Sequence, residues 1–175
     1  MRSVAKSAVH CAVSCGRRIT IASVLLCSQT ALGWVGLTTD SGLPIRWAAR
    51  CVGYNLNELF VDDIQPTEFQ QAIALGFSAW SAGDAGVEFV YAGLTSVDTA
   101  TADTRPIIAV RTGEDSWVYG DSEVALTYVE YDVDSGSILD ADIELNGEHH
   151  VFTLDGQGSS YRLDDVVRHE AGHVL

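Results

Sequence analysis

His169 and His173 stand four residues apart with Glu170 between them, in the run His-Glu-Ala-Gly-His. On an α-helix, positions i and i+4 lie on one face a single turn apart, so the two imidazoles converge on one point. On a strand the same separation would hold them about 13 Å apart. The pair therefore demands a helix if it is to act as a unit. Its surroundings agree: Val166, Val167 and Val174 supply an apolar stripe, and Asp164 and Asp165 are acids at the positive end of such a helix. Asp164 is expected to be the N-cap.

Neutral imidazole is a zinc ligand, and catalytic zinc sites use three protein ligands and leave one position open. His169 and His173 are the expected ligands. Glu170 is the expected general base, taking a proton from a metal-activated water and passing it to the leaving amine. The third ligand is expected beyond Leu175. Two ligands hold zinc far more weakly than three with ordered support, so the 175 residues by themselves are expected to show little or no activity. His149 and His150 are adjacent, so an extended backbone would send them to opposite faces, and a surface turn is the expectation. No Ser-His-Asp arrangement or phosphate loop stands out, and Gly156-x-Gly158 suggests only a flexible loop.

The first 33 residues read as an export signal. Arg2, Lys6, Arg17 and Arg18 are basic, residues 19–26 (ITIASVLL) are apolar, and Ala31-Leu32-Gly33 offers a small-x-small cleavage point. A membrane anchor is the alternative, but a span needs about 20 apolar residues. A secreted protein is expected. Residues 34–175 then form the N-terminal part of one catalytic domain, long enough for a single core. They carry six arginines, no lysine and all 24 acids, a net charge of −18. So acidic a surface repels nucleic acid and anionic membrane, and neither is an expected partner. Cys51 is the lone cysteine after the signal, either a buried thiol or one whose partner lies beyond Leu175.

Along the chain, residues 44–57 read as a first strand interrupted near Ala48-Ala49. A helix follows, with Thr67 and Gln70 as a capping box after Pro66 and Phe69, Ile73, Gly76, Phe77 and Trp80 at helical spacing. Strands are expected at 87–91, 107–110, 124–131 and 138–145, with loops at 93–103 and 113–122. Strands dominate and helices are few, which makes the fold class α+β. Asp140, Asp142 and Glu144 alternate along the last strand, a pattern that ordinarily faces solvent, although their oxygens are of the kind calcium takes.

Together these residues resemble the metzincin metalloproteases, and among them the matrixin-like secreted proteases of bacteria. The likeness rests on Pro44-Ile45-Arg46-Trp47 as first strand, on residues 68–80 as the long helix, on Asp140-Ala141-Asp142-Ile143-Glu144-Leu145-Asn146 as the strand before the metal helix, and on residues 167–175 as the start of HExxHxxGxxH. The resemblance implies a twisted mixed sheet with a long N-terminal helix and an active-site helix. It implies a catalytic zinc, peptide-bond cleavage, and a peptide substrate extended along the edge strand near residues 124–128. A third histidine and a methionine turn would follow Leu175. Two other readings stay open: a zinc protease whose third ligand is a downstream glutamate, and a non-catalytic secreted binding domain.

Overall fold

The computed structural model describes residues 37–61, 63–81, 87–98, 100 and 105–175. The export signal expected at 1–33 lies outside the described residues. Among those described, no helix is long and apolar enough to cross a membrane. The chain runs β1 (Arg46–Trp47), β2 (Cys51–Asn57), α1 (Pro66–Ser81), β3 (Glu88–Thr95), β4 (Ile107–Arg111), β5 (Ala125–Tyr131), β6 (Ser137–Asn146), β7 (Phe152–Thr153), β8 (Tyr161–Arg162) and α2 (Leu163–Gly172).

Six strands make the main sheet, and β7 and β8 make a separate parallel ribbon. Strand β6 organises the sheet. Its start pairs with β1 (Trp47 with Ile138) and its end with β4 (Val110 with Leu145), both in parallel, while β5 runs antiparallel along its other edge. Beyond β4 lie β2 and then β3, again parallel.

The fold is therefore mixed α/β with a mostly parallel sheet and two helices, a correction to the α+β expectation. The reason is α1. It leaves β2 and returns to the neighbouring β3, and a helix in that place makes the two strands parallel. Hydrophobic alternation marks a strand without showing its direction.

The expected long N-terminal helix is not seen. Helix α1 has 16 residues and follows two strands. It also starts one residue before Thr67, so Thr67 is not the cap: Pro66 takes the first turn, where its missing N–H is no loss, and Phe69 N–H bonds to Gln65 C=O at 2.9 Å. Strand β3 likewise continues to Thr95, past the expected loop start. Gly93, at φ 128°, allows this by absorbing the register shift opposite Tyr54 and Asn55.

Both helices pack on one face of the sheet. Phe69, Ile73 and Phe77 of α1 and Leu163, Val167 and Ala171 of α2 meet Tyr54, Leu56, Ile108, Val110, Ile143 and Leu145 from the strands. A smaller cluster of Ile45, Val129, Ile138, Ala141 and Val174 closes the core near the end of α2.

The other face of β6 carries the alternating acids, and they do not face solvent. Asp140, Asp142 and Glu144 are 2%, 4% and 2% exposed. Backbone groups meet them there: Ala100 N–H bonds to Glu144 Oε1 at 2.6 Å, and the N–H of Ile107, the first residue of β4, to Asp142 Oδ1 at 2.9 Å. A strand with a neighbour on each edge and cover on each face buries its polar side as well. Burial raises the Glu144 carboxyl pKa; the Ala100 N–H and Arg111 oppose the shift, and Asp98 adds to it.

Cys51 is exposed, which removes the buried-thiol reading.

Candidate metal centre

Helix α2 forms on a clear amphipathic pattern. Leu163, Val167 and Ala171 repeat every four residues and turn into the core. Asp164 is not its N-cap, contrary to expectation. That place falls to Arg162, whose side chain makes no capping bond. Asp164 sits in the first turn instead, 3% exposed, and its two oxygens accept from Arg162 Nε at 2.7 Å and Nη2 at 2.6 Å. Arg168 pairs with Asp165 at 2.9 Å and approaches Asp164 at 3.6 Å. From α1, Trp80 Nε1–H donates to Arg168 C=O at 2.7 Å. These contacts fix the rotation of α2 one turn before its functional residues.

The structure brings His169, Glu170 and His173 together. One ligand atom from each lies within 4.8 Å of the others, so the three form a group that could hold a metal ion. The histidine rings are 5.1 Å apart at their centroids and meet at 78°. His169 is exposed and within the helix; His173 is half-buried at its C-cap, where a right-handed conformation (φ −73°, ψ −14°) carries the helical turn one residue further. Glu170 is buried, 7% exposed. Burial lowers the His173 pKa; Glu170 pulls it back up, and His169 pushes it further down. The imidazole is thereby kept in the neutral form that ligates a metal.

Glu170 reaches the sheet. Its Oε2 accepts a hydrogen bond of 2.6 Å from Thr127 Oγ1, a residue of β5 that is itself 8% exposed. Sequence reasoning missed Thr127, because a threonine in an alternating strand carries no signal of what faces it. The strand period gives its face, and only the packing of α2 against β5 supplies the partner.

The geometry of β5 adds a further property. Asn146 N–H bonds to Val124 C=O at 3.0 Å, which makes residues 124 and 146 a hydrogen-bonded antiparallel pair. Alternation along the register (Leu126 with Glu144, Tyr128 with Asp142) makes those the next such pairs. The backbone groups of Ala125, Thr127 and Val129 then point away from β6. Among the described residues no strand pairs along this edge of β5.

The remaining candidates lie elsewhere. His149 sits in the turn after β6, exposed, with Asp121 and Glu148 at 3.6 and 3.9 Å. His150 packs edge-on against Tyr161, its ring 5.2 Å away. Neither joins the group on α2, and among the described residues Asp140, Asp142 and Glu144 do not form such a group. A scan against models of known protein families finds no match to this chain, and a search of curated proteins finds none.

Proposed function

We propose that the protein is a secreted metal-dependent endopeptidase of the metzincin type, with His169 and His173 holding zinc and Glu170 acting as general base. The observation that carries this reading is the convergence of two histidines and a buried carboxylate on one helix end, with ligand atoms within 4.8 Å. The donor set fits zinc: two imidazoles, one of them held toward its neutral form, beside a carboxylate that has a separate hydrogen-bond partner. A zinc ion there would supply Lewis acidity, polarising a peptide carbonyl and making water acidic near neutral pH.

The protein's own groups do the rest. Glu170, fixed by Thr127, accepts a proton and returns it to the departing amine. The edge of β5 away from β6 offers N–H and C=O groups of Ala125, Thr127 and Val129 to an extended peptide, so substrate would add as a further strand beside the helix that bears the base. An antiparallel edge strand in an otherwise parallel sheet, beside the helix that carries the two histidines, is consistent with the mixed sheet that the resemblance implies.

The test uses the full-length natural protein. Dialysed wild type should retain zinc and cleave casein. Glu170→Ala should retain zinc and lose activity by about 10²–10⁴-fold, the range for a positioned acid–base group. Undiminished cleavage by Glu170→Ala, or a wild type that takes up no zinc, sinks the reading.

A further inference from the structure

We infer that Thr127 is a positioning residue for Glu170: its hydroxyl holds the carboxylate as a base and keeps it from becoming a further metal ligand. The inference rests on the peptidase reading above and deepens it. The Thr127 Oγ1 to Glu170 Oε2 distance of 2.6 Å is that of a charge-assisted O–H···O⁻ bond. Both residues are more than nine-tenths buried, so water competes little for the contact. The same hydroxyl lies 3.4 Å from Glu170 C=O, where it meets the backbone of the helix as well as the side chain.

The restraint matters because of what lies close by. Glu170 offers a ligand atom within 4.8 Å of those of both histidines. Zinc ligands at about 2.0–2.2 Å from the metal sit closer together than that, so a small swing would bring a free carboxylate onto the ion. A carboxylate bound to a cation is a weaker base, and it would no longer be placed beside the group it is to deprotonate. The bond to Thr127 commits Oε2 to the sheet and leaves Oε1 for proton transfer.

Thr127 also sends its own N–H and C=O to the edge of β5 away from β6. One residue thus joins the strand on which an extended chain would pair to the group that would act on it. Changing only its side chain leaves those backbone groups in place. Substrate binding should therefore survive a change that damages turnover.

The experiment compares Thr127→Val and Thr127→Ser in the full-length protein. Valine keeps the shape and the strand preference and replaces the hydroxyl by a methyl group. In Thr127→Val, kcat should fall by about ten- to hundredfold, the scale of a lost bond to a charged group, with KM within about threefold of wild type. Zinc affinity, read by competition with a chromogenic chelator, should rise by about tenfold as the freed carboxylate joins the histidines. Thr127→Ser should restore most of both values. In a Glu170→Ala background, Thr127→Val should leave zinc affinity unchanged.

A purely structural role would weaken zinc and raise KM, and that result overturns the inference. So does wild-type kcat in Thr127→Val, a serine variant no better than valine, or a change in zinc affinity that persists without Glu170. A protein that shows the tighter zinc of Thr127→Val but cleaves no peptide would remove the peptidase reading while supporting the restraint on Glu170.

Discussion

Glu144 shows how a single side chain departs from its pattern. Acids at every second position suggest a wet face, yet this one is 2% exposed and accepts from Ala100 N–H. Its carboxyl pKa is raised, mainly by burial, which outweighs that bond and the pull of Arg111. A pKa raised on folding means that the folded state binds the proton more tightly than the unfolded chain does. The stabilising effect is complete below the ordinary glutamate value and disappears as pH rises through the folded one. Ionised Glu144 is thus a burden at neutral pH. Glu144→Gln keeps an oxygen for Ala100 N–H and removes the charge. The variant should be more stable than wild type at about pH 8 and lose that advantage as pH falls toward about 4. Urea midpoints across that range check it, and a difference that does not vary with pH would refute it. The candidate ligands on α2 were legible for the opposite reason. Two histidines and a glutamate at helical spacing state their relation within five residues, whereas Thr127 is tied to Glu170 across 43 positions of sequence.

At the scale of elements, both helices and the strands of the main sheet could be placed from the sequence, but the short ribbon of β7 and β8, the pairing and the packing could not. The apolar run of β4 and the alternation of β5 and β6 mark strands whether their neighbours run with them or against them. The α+β expectation rested on few helices among many strands, and such a count does not show that the sheet is mostly parallel. Helix contacts are equally silent in the sequence. Gly76 looks like a weak point in α1, since glycine in a helix interior is about 1 kcal/mol worse than alanine. The structure gives it a purpose. A Cβ there would come within 2.8 Å of Val167 Cβ and Cγ1 and 3.0 Å of Asp164 C=O. The two helices touch where α1 has no side chain, and α2 is thereby set close against α1 one turn before His169. Gly76→Ala should therefore destabilise the protein by about 1–3 kcal/mol, as overpacking does, despite the gain in helix propensity. A lower urea midpoint with an unchanged slope is the expected reading. Val167→Ala added to that variant should recover part of the loss. If Gly76→Ala alone raised the midpoint, the close helix contact would be wrong.

Across the whole molecule, charge sets the conditions under which these parts hold together. Residues 34–175 carry 24 acids and six arginines. Several of those arginines are already committed: Arg162 and Arg168 to the acids at the start of α2, and Arg111 to the carbonyls of Ser116 and Asp98. Salt acts on such a protein in two opposing ways. It weakens surface ion pairs, each worth about 0–1 kcal/mol, and it screens the mutual repulsion of the unpaired acids. With acids outnumbering bases four to one over residues 34–175, and 24 to 10 over the full sequence, the repulsion involves far more pairs and should dominate. Raising NaCl from about 10 mM to about 500 mM, which shortens the screening length several-fold, should raise Tm by a few degrees. Choline chloride should do the same at equal ionic strength, because screening does not depend on the identity of the cation. A rise seen with calcium and not with choline would point to a specific cation site, while a fall in Tm would mean that the arginine pairs around α2 outweigh the repulsion. The second outcome would have a further consequence, since those pairs hold the helix that carries His169 and Glu170: salt would then loosen the candidate site before it loosened the sheet.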